Sequence, residues 1–221
     1  MLVLFDIDGT LLETGGAGTR ALNRAFERLF SISDAFRGIK MAGKTDLQII
    51  KEALSLHGID GSNGNLQRIM DMYVSLLKEE INNPRKKLKP GVREILDIMI
   101  DSRLGTGLLT GNLRKGAEIK LGAFGLNSYF IDGAFGSDHE DRNQLLPIAL
   151  ERFRQKGFKV GPENSIIIGD TPRDVECAKV HGARCIAVAT GPYSIDELRQ
   201  TEADLVVETL EDKEKILDFI F

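Results

Sequence analysis

The ten residues that open the chain, Met-Leu-Val-Leu-Phe-Asp-Ile-Asp-Gly-Thr, constrain its fold more than any other stretch. Leu2 to Phe5 is an apolar run without polar alternation, the pattern of a strand buried on both faces in a parallel sheet. Strand side chains alternate between faces. If the extended geometry lasts through Asp8, then Asp6 and Asp8 point the same way at the strand's carboxyl end, the edge where open α/β sheets bind ligands. Gly9 permits a sharp turn, and Thr10 can bond to backbone groups left without ladder partners. Two like charges this close raise each other's pKa unless something positive lies between them, and a divalent cation is the usual solution. The plain alternative is a strand that stops in an Asp-rich turn. A calcium EF-hand fits poorly, because counting from Asp6 its Gly position falls on Leu11 and its bidentate Glu position on Ala17.

The rest of the chain has two textures. Glu13 to Gly18 is a glycine-rich hinge, and from Thr19 to about Asn83 only helical patterns occur, with Leu22, Ala25, Phe26 and Leu29 on one face and Ile69, Met72, Tyr73, Leu76 and Leu77 on another. A polar, proline-punctuated linker, Asn82 to Gly91, then leads into alternating strand and helix patterns that run to Phe221. Such alternation predicts an α/β fold, a Rossmann-like parallel sheet with helices on both faces. The expected division is a core of residues 1–14 and 85–221 with an all-helical unit, 15–84, inserted after the first strand. At 221 residues the chain can bury a core without staples. A net charge of −4, with no basic run longer than Arg85-Lys86-Lys87, argues against a nucleic-acid partner. No long apolar segment points to a membrane, and Cys177 and Cys185 have neither zinc nor C-x-x-C spacing, so both thiols are expected buried and reduced in a cytoplasmic protein. The three histidines show no zinc spacing; His181-Gly182 and His57-Gly58 both read as helix ends.

Three further stretches carry chemistry. Gly107 to Leu109 followed by Thr110-Gly111-Asn112 ends a strand in a hydroxyl and amides that can meet an anionic oxygen, although taken alone the signal is weak and Asn112 reads more simply as a helix N-cap. Ser165 to Gly169 followed by Asp170-Thr171-Pro172-Arg173-Asp174 puts two more carboxylates at a strand end. A capping box from Thr171 to Asp174 explains the second acid but not the first. Gly38 to Thr45 matches G-x-x-x-x-G-K-T, the phosphate-cradling loop of nucleotidases. Its context is wrong, because that loop hangs from a buried strand and Ser31 to Arg37 is too polar for one.

Taken together, Asp6-Ile7-Asp8-Gly9-Thr10, the Thr110 segment and Gly169-Asp170 to Asp174 resemble, in order, the motifs of the haloacid dehalogenase superfamily in its phosphatase form. The resemblance implies that Asp6 attacks phosphorus, that Asp8 serves as acid and base, and that Mg²⁺ is held by the metal-site residues Asp6, Asp8 (through its carbonyl), Asp170 and Asp174. In that family Asp174 would orient metal-bound water or the neighbouring cation. It implies that Thr110, Gly111 and Asn112 hold the phosphoryl group of a small phosphorylated metabolite and that the helical unit is a cap, with Lys44 in its substrate-facing loop, as in phosphoglycolate phosphatases. The family's usual third-motif Lys is missing. Arg142, in Gly136 to Asn143, is the cation in its place, chemically suited to hold a phosphoryl group and an Asp together, and otherwise a solvated Arg in an acidic loop. A phosphomutase shares all these residues and is the nearest alternative to a phosphatase.

Overall fold

A computed structural model describes residues 1–102 and 104–221, Asn63 by its backbone alone. Six parallel strands form the central sheet: β1 (Leu2–Phe5), β4 (Gly105–Thr110), β5 (Gly133–Phe135), β6 (Ser165–Gly169), β7 (Arg184–Val188) and β8 (Leu205–Val207), in the order β5-β4-β1-β6-β7-β8. The chain builds outward from β1 to β4 and β5, then crosses back to β6 on the other side. β1 therefore lies at the point where the winding reverses, and the carboxyl ends of β4, β1 and β6 stand side by side. The apolar run of β1 is fully buried, as a strand covered on both faces requires.

The period-two alternation sorts the core into two layers. Val3, Phe5, Leu108, Ile166, Ile168 and Ile186 face one way, against Val92, Ile95 and Met99 of α4 (Val92–Asp101), Ala117 and Leu121 of α5 (Arg114–Gly122), and Ile216 and Ile220 of α9 (Lys213–Ile220). Leu2, Leu4, Leu109, Ile167 and Cys185 face the other way, against α6 (Leu145–Gln155), α7 (Pro172–Lys179) and α8 (Ile195–Arg199). Both cysteines are buried and unpaired. Of the apolar piece from Phe130 to Phe135 only Gly133–Phe135 pairs into the sheet; Phe130 instead packs edge-on against Phe5 at 6.2 Å.

The three helices between β2 (Leu12–Glu13) and β3 (Lys87–Leu88) pack on one another. α1 (Ala17–Phe30), α2 (Asp46–Leu56) and α3 (Asn63–Glu80) bury Leu22, Ala25, Phe26, Ile50, Leu54, Ile69, Tyr73 and Leu76 in a cluster of their own, which touches the rest of the molecule chiefly through Leu113 and α5. The two-residue strands β2 and β3 pair antiparallel where the chain enters and leaves this helical unit. They were not foreseen, since two residues carry no periodicity. Residues 31–38 are turns and irregular chain, so the G-x-x-x-x-G-K-T stretch follows no strand and the nucleotidase reading is not met. Among the described residues no helix is long and apolar enough to cross a membrane.

Phe26 is the centre of the helical cluster, edge-on to Phe30 at 5.4 Å and to Phe36 at 4.8 Å. Phe26→Ala is expected to destabilise the protein by about 3–5 kcal/mol, the usual cost of an aromatic-sized cavity, read from denaturant unfolding.

Candidate active site

The sequence-predicted residues converge. Asp6, Asp8, Thr110, Gly111, Asn112, Arg142, Asp170 and Lys44 all line one cavity of about 440 Å³ between the carboxyl edge of the sheet and the helical unit. Asp174 lies just behind it, wholly buried.

The first loop is folded tightly enough to fix its acids. The Asp6 N–H still donates to the Ile168 carbonyl at 2.9 Å, extending the β1–β6 ladder by one residue, and Leu11 and Leu12 both donate back to the Ile7 carbonyl. Gly9 takes φ +87°, and a Cβ there would overlap the Asp170 carboxylate. A Cβ at Gly191 would overlap the same carboxylate. Asp170 is thus enclosed by two bare backbones, with the Thr10 hydroxyl donating to its Oδ1 at 2.9 Å.

Arg142 is the counter-charge of the site. It sits in a 3₁₀ turn, Arg142–Gln144, at the head of α6, and is 4% exposed, so the picture of a solvated Arg in an acidic loop does not hold. Its Nη2 lies 2.5 Å from Asp174 Oδ1 and 3.3 Å from Asp6 Oδ1. Nη1 donates to the Gly43 carbonyl of the helical unit at 3.3 Å, while the buried Nε–H has no partner within the described residues. The other oxygen of Asp174 accepts the Thr171 N–H at 3.0 Å and the Thr171 hydroxyl at 2.8 Å. Both Asp174 oxygens are therefore committed, to Arg142 and to the helix start: the capping reading and the charge-holding reading describe the same carboxylate.

One guanidinium does not neutralise this many acids. Burial, opposed by Arg142 and reinforced by the charges of Asp174 and Asp8, pushes the Asp6 carboxyl up to about 6. Burial, with Asp6 and Asp174 adding to it, raises Asp170 well above the carboxylate range. Asp6, Asp170 and Asp174 each offer an oxygen within 4.8 Å of the others. With Asp174 committed to Arg142 and the helix start, the oxygens of Asp6 and Asp170, buried and short of positive charge, are the donors that fit a hard divalent cation.

Asn112 is not a helix cap. Its side-chain amide donates to Asp8 Oδ2 and to the Thr110 hydroxyl, both at 2.8 Å, so it faces the cavity and ties the two strand ends together. Lys44 lines the cavity, but its ammonium is held by both oxygens of Glu52, at 2.7 and 2.6 Å. Thr45 caps α2, its hydroxyl accepting from the Gln48 N–H at 3.2 Å. His181, just past the end of α7 as its reading as a helix end expects, also bonds the Asn143 carbonyl at 2.6 Å.

Sequence reasoning missed Lys120, Lys89 and Asp46. Lys120 on α5 is buried against Asp8 and Asn112. Lys89 bonds Glu13 and the Thr190 carbonyl, clamping the exit of the helical unit to the core. Asp46 opens α2; its N–H donates to the Gly111 carbonyl at 2.7 Å and its Oδ2 accepts the Leu113 N–H at 2.8 Å.

A family model described as haloacid dehalogenase-like hydrolase matches residues 3–188. The chain belongs to that family. It is 23% identical over 223 residues to a phosphoglycolate phosphatase of Nitrosococcus oceani, covering 95% of this chain and 92% of the relative. It is 24% identical to the pyrophosphatase PpaX of Halalkalibacterium halodurans, covering 99% of this chain and 95% of the relative. The fold is similar to the crystal structure of CbbY from Rhodobacter sphaeroides in complex with phosphate, with TM-score 0.74 and 19% identity over 95% of this chain and 94% of that one. In this haloacid dehalogenase-like hydrolase the family's motifs thus meet at one sheet edge, and its Lys120 and Asp46 complete the polar wall.

Asp46 generates a prediction. Burial, offset by Lys120 and the Leu113 amide, pushes its carboxyl up to about 6. A carboxyl raised on folding adds most to stability below its unfolded pKa and loses that contribution as pH climbs through the folded value. Asp46→Asn, which keeps an acceptor for Leu113, is expected to remove on the order of 3 kcal/mol of stability loss between pH 4 and 6.5. Unfolding curves across that range, wild type against variant, check it.

Proposed function

We propose that this hydrolase is a Mg²⁺-dependent phosphatase of small phosphomonoesters that carries the phosphoryl group transiently on Asp6. The observation that supports the reading is the convergence, in one cavity, of Asp6, Asp8, Thr110, Arg142 and Asp170 from four separate segments. In this reading an Asp6 oxygen attacks phosphorus and the bond to the ester oxygen breaks. Asp8 gives the departing alkoxide its proton, then takes one from the water that attacks the phosphoryl-aspartate, releasing inorganic phosphate and restoring Asp6. Arg142, the Thr110 hydroxyl and the amides of Gly111 and Asn112 hold the phosphoryl oxygens as charge moves onto them.

The acids of Asp6 and Asp170, with the Asp8 carbonyl, would hold Mg²⁺, which when bound neutralises nucleophile and phosphoryl group so that an anion can be attacked by a carboxylate. Asp174 serves this arrangement through Arg142. The helical unit, residues 15–84, acts as a cap that excludes bulk water, and Gly43, Thr45 and Asp46 hydrogen-bond it to the core beside the site. Lys44, bound to Glu52, contributes the cap's polar rim. A phosphomutase on the same core would pass the phosphoryl group to a second sugar phosphate. Free phosphate released from an aryl ester distinguishes the two. The expected compartment is the cytoplasm, where thiols such as Cys177 stay reduced.

The experiment is turnover of an aryl phosphate with Mg²⁺ and with excess chelator, alongside thermal melts. Activity is expected to require Mg²⁺, and Mg²⁺ is expected to raise the melting temperature at pH 7.5 but much less as pH falls below about 6, where the Asp6 carboxyl takes up a proton. Arg142→Lys is expected to lower kcat by about 10–100-fold, because an ammonium keeps the charge but cannot bridge Asp6, Asp174 and a phosphoryl oxygen as a planar fork does. Arg142→Ala is expected to lose stability as well, by about 3–5 kcal/mol, since it leaves buried acids unpaired. Full activity in chelator would overturn the metal-assisted reading.

A further inference from the structure

Lys120 has no part in the chemistry described so far, yet it is 5% exposed and its ammonium sits against the cavity. Nζ lies 2.6 Å from Asp8 Oδ2 and 2.5 Å from Asn112 Oδ1. The Asn112 amide donates to the same Asp8 oxygen at 2.8 Å. Two donors therefore converge on Oδ2, and they also bond each other. Oδ1 of Asp8 takes no donor among the described residues, on a side chain that is 42% exposed toward the cavity.

The placement of Lys120 is built into α5. Gly116, one turn earlier, is buried and faces Tyr73 and Leu77 of α3, while Ala117 packs against the sheet. From that helix the long stem runs inward to the strand ends. Burying an ammonium costs several kcal/mol, and a buried ion pair stabilises a fold no better than apolar residues of the same volume. Mere support for the fold therefore does not explain a lysine here. What an apolar residue cannot do is hold one oxygen of a carboxylate while leaving the other free.

We infer that Lys120, with Asn112 as its partner, is a positioning residue for Asp8: it pins Oδ2 and so presents Oδ1 to the ester oxygen that leaves. The inference rests on the phosphatase reading and deepens it. Asp8 sits on a loop after β1 and has two side-chain torsions to fix; without the clamp it samples rotamers in which no proton donor faces the leaving oxygen. The effect of losing Lys120 must then appear where proton donation matters. A good leaving group departs with little help, whereas a poor one needs the proton as the bond breaks.

The test is kcat/KM, which reports the first phosphoryl transfer, for 4-nitrophenyl phosphate and phenyl phosphate in wild type, Lys120→Met, Asp8→Asn and the double variant, all with Mg²⁺. Lys120→Met is expected to cost a few-fold with the nitrophenyl ester and at least about 10-fold more than that with the phenyl ester. In the Asp8→Asn background it is expected to cost little further, the mark of acting through Asp8. The ratio between the two esters is read on one preparation, so it does not depend on how much of the variant is folded. Equal losses with both esters, or full additivity with Asp8→Asn, would overturn the inference. If wild type hydrolysed neither ester, the phosphatase reading would fall and this inference with it.

Discussion

A buried guanidinium shared by two buried carboxylates is the interaction on which the site depends. Arg142 touches Asp174 and Asp6 with the same nitrogen and reaches Gly43 with another. Without it the carboxyl edges of β1 and β6 would bring Asp6, Asp170 and Asp174 together with nothing to offset them, and burial in low dielectric makes that repulsion expensive. Even with it, Asp6 stays raised to about 6. The site is therefore assembled by the fold but left short of positive charge, which is the electrostatic condition for taking up a cation and an anionic ester together.

The same guanidinium joins the two halves of the molecule. The segment 43–46 docks on the core through Gly43 to Arg142, Thr45 to the Glu140 carbonyl, and Asp46 to Gly111 and Leu113. Two of those partners, Gly111 and Leu113, lie just past the end of β4, where the phosphoryl group is proposed to bind, and one is the counter-charge itself. Movement of the helical unit away from the core would loosen contacts at the residues proposed to hold the phosphoryl group, so closure and site assembly share their contacts.

Much of this was legible in the sequence where the chemistry is local. The Asp6 and Asp8 pair, the Thr110 segment and Asp170 to Asp174 each lie within one turn, so spacing alone places them at strand ends, and helical periodicity marks α1 and α3. Arg142 was legible as a cation near the head of a helix, but its burial was not, because its partners Asp6 and Asp174 come from the loop after β1 and the first turn of α7. Lys120 and Asp46 were invisible for the same reason: Lys120 meets Asp8 across 112 residues and Asp46 meets Leu113 across 67. β2 and β3 escaped because two-residue strands leave no pattern, and spacing alone left Asn112 readable both as a site residue and as a cap because its partner, Asp8, lies 104 residues away.

The central claim is that Asp6 carries the phosphoryl group. The most direct measurement is a rapid acid quench of the protein with an aryl phosphate and Mg²⁺, followed by peptide mass spectrometry. The account predicts that the peptide containing Asp6 gains the mass of one phosphoryl group, that hydroxylamine removes it, and that Asp6→Asn shows none. Turnover at full rate in Asp6→Asn, or a phosphoryl group found on another residue, would contradict it.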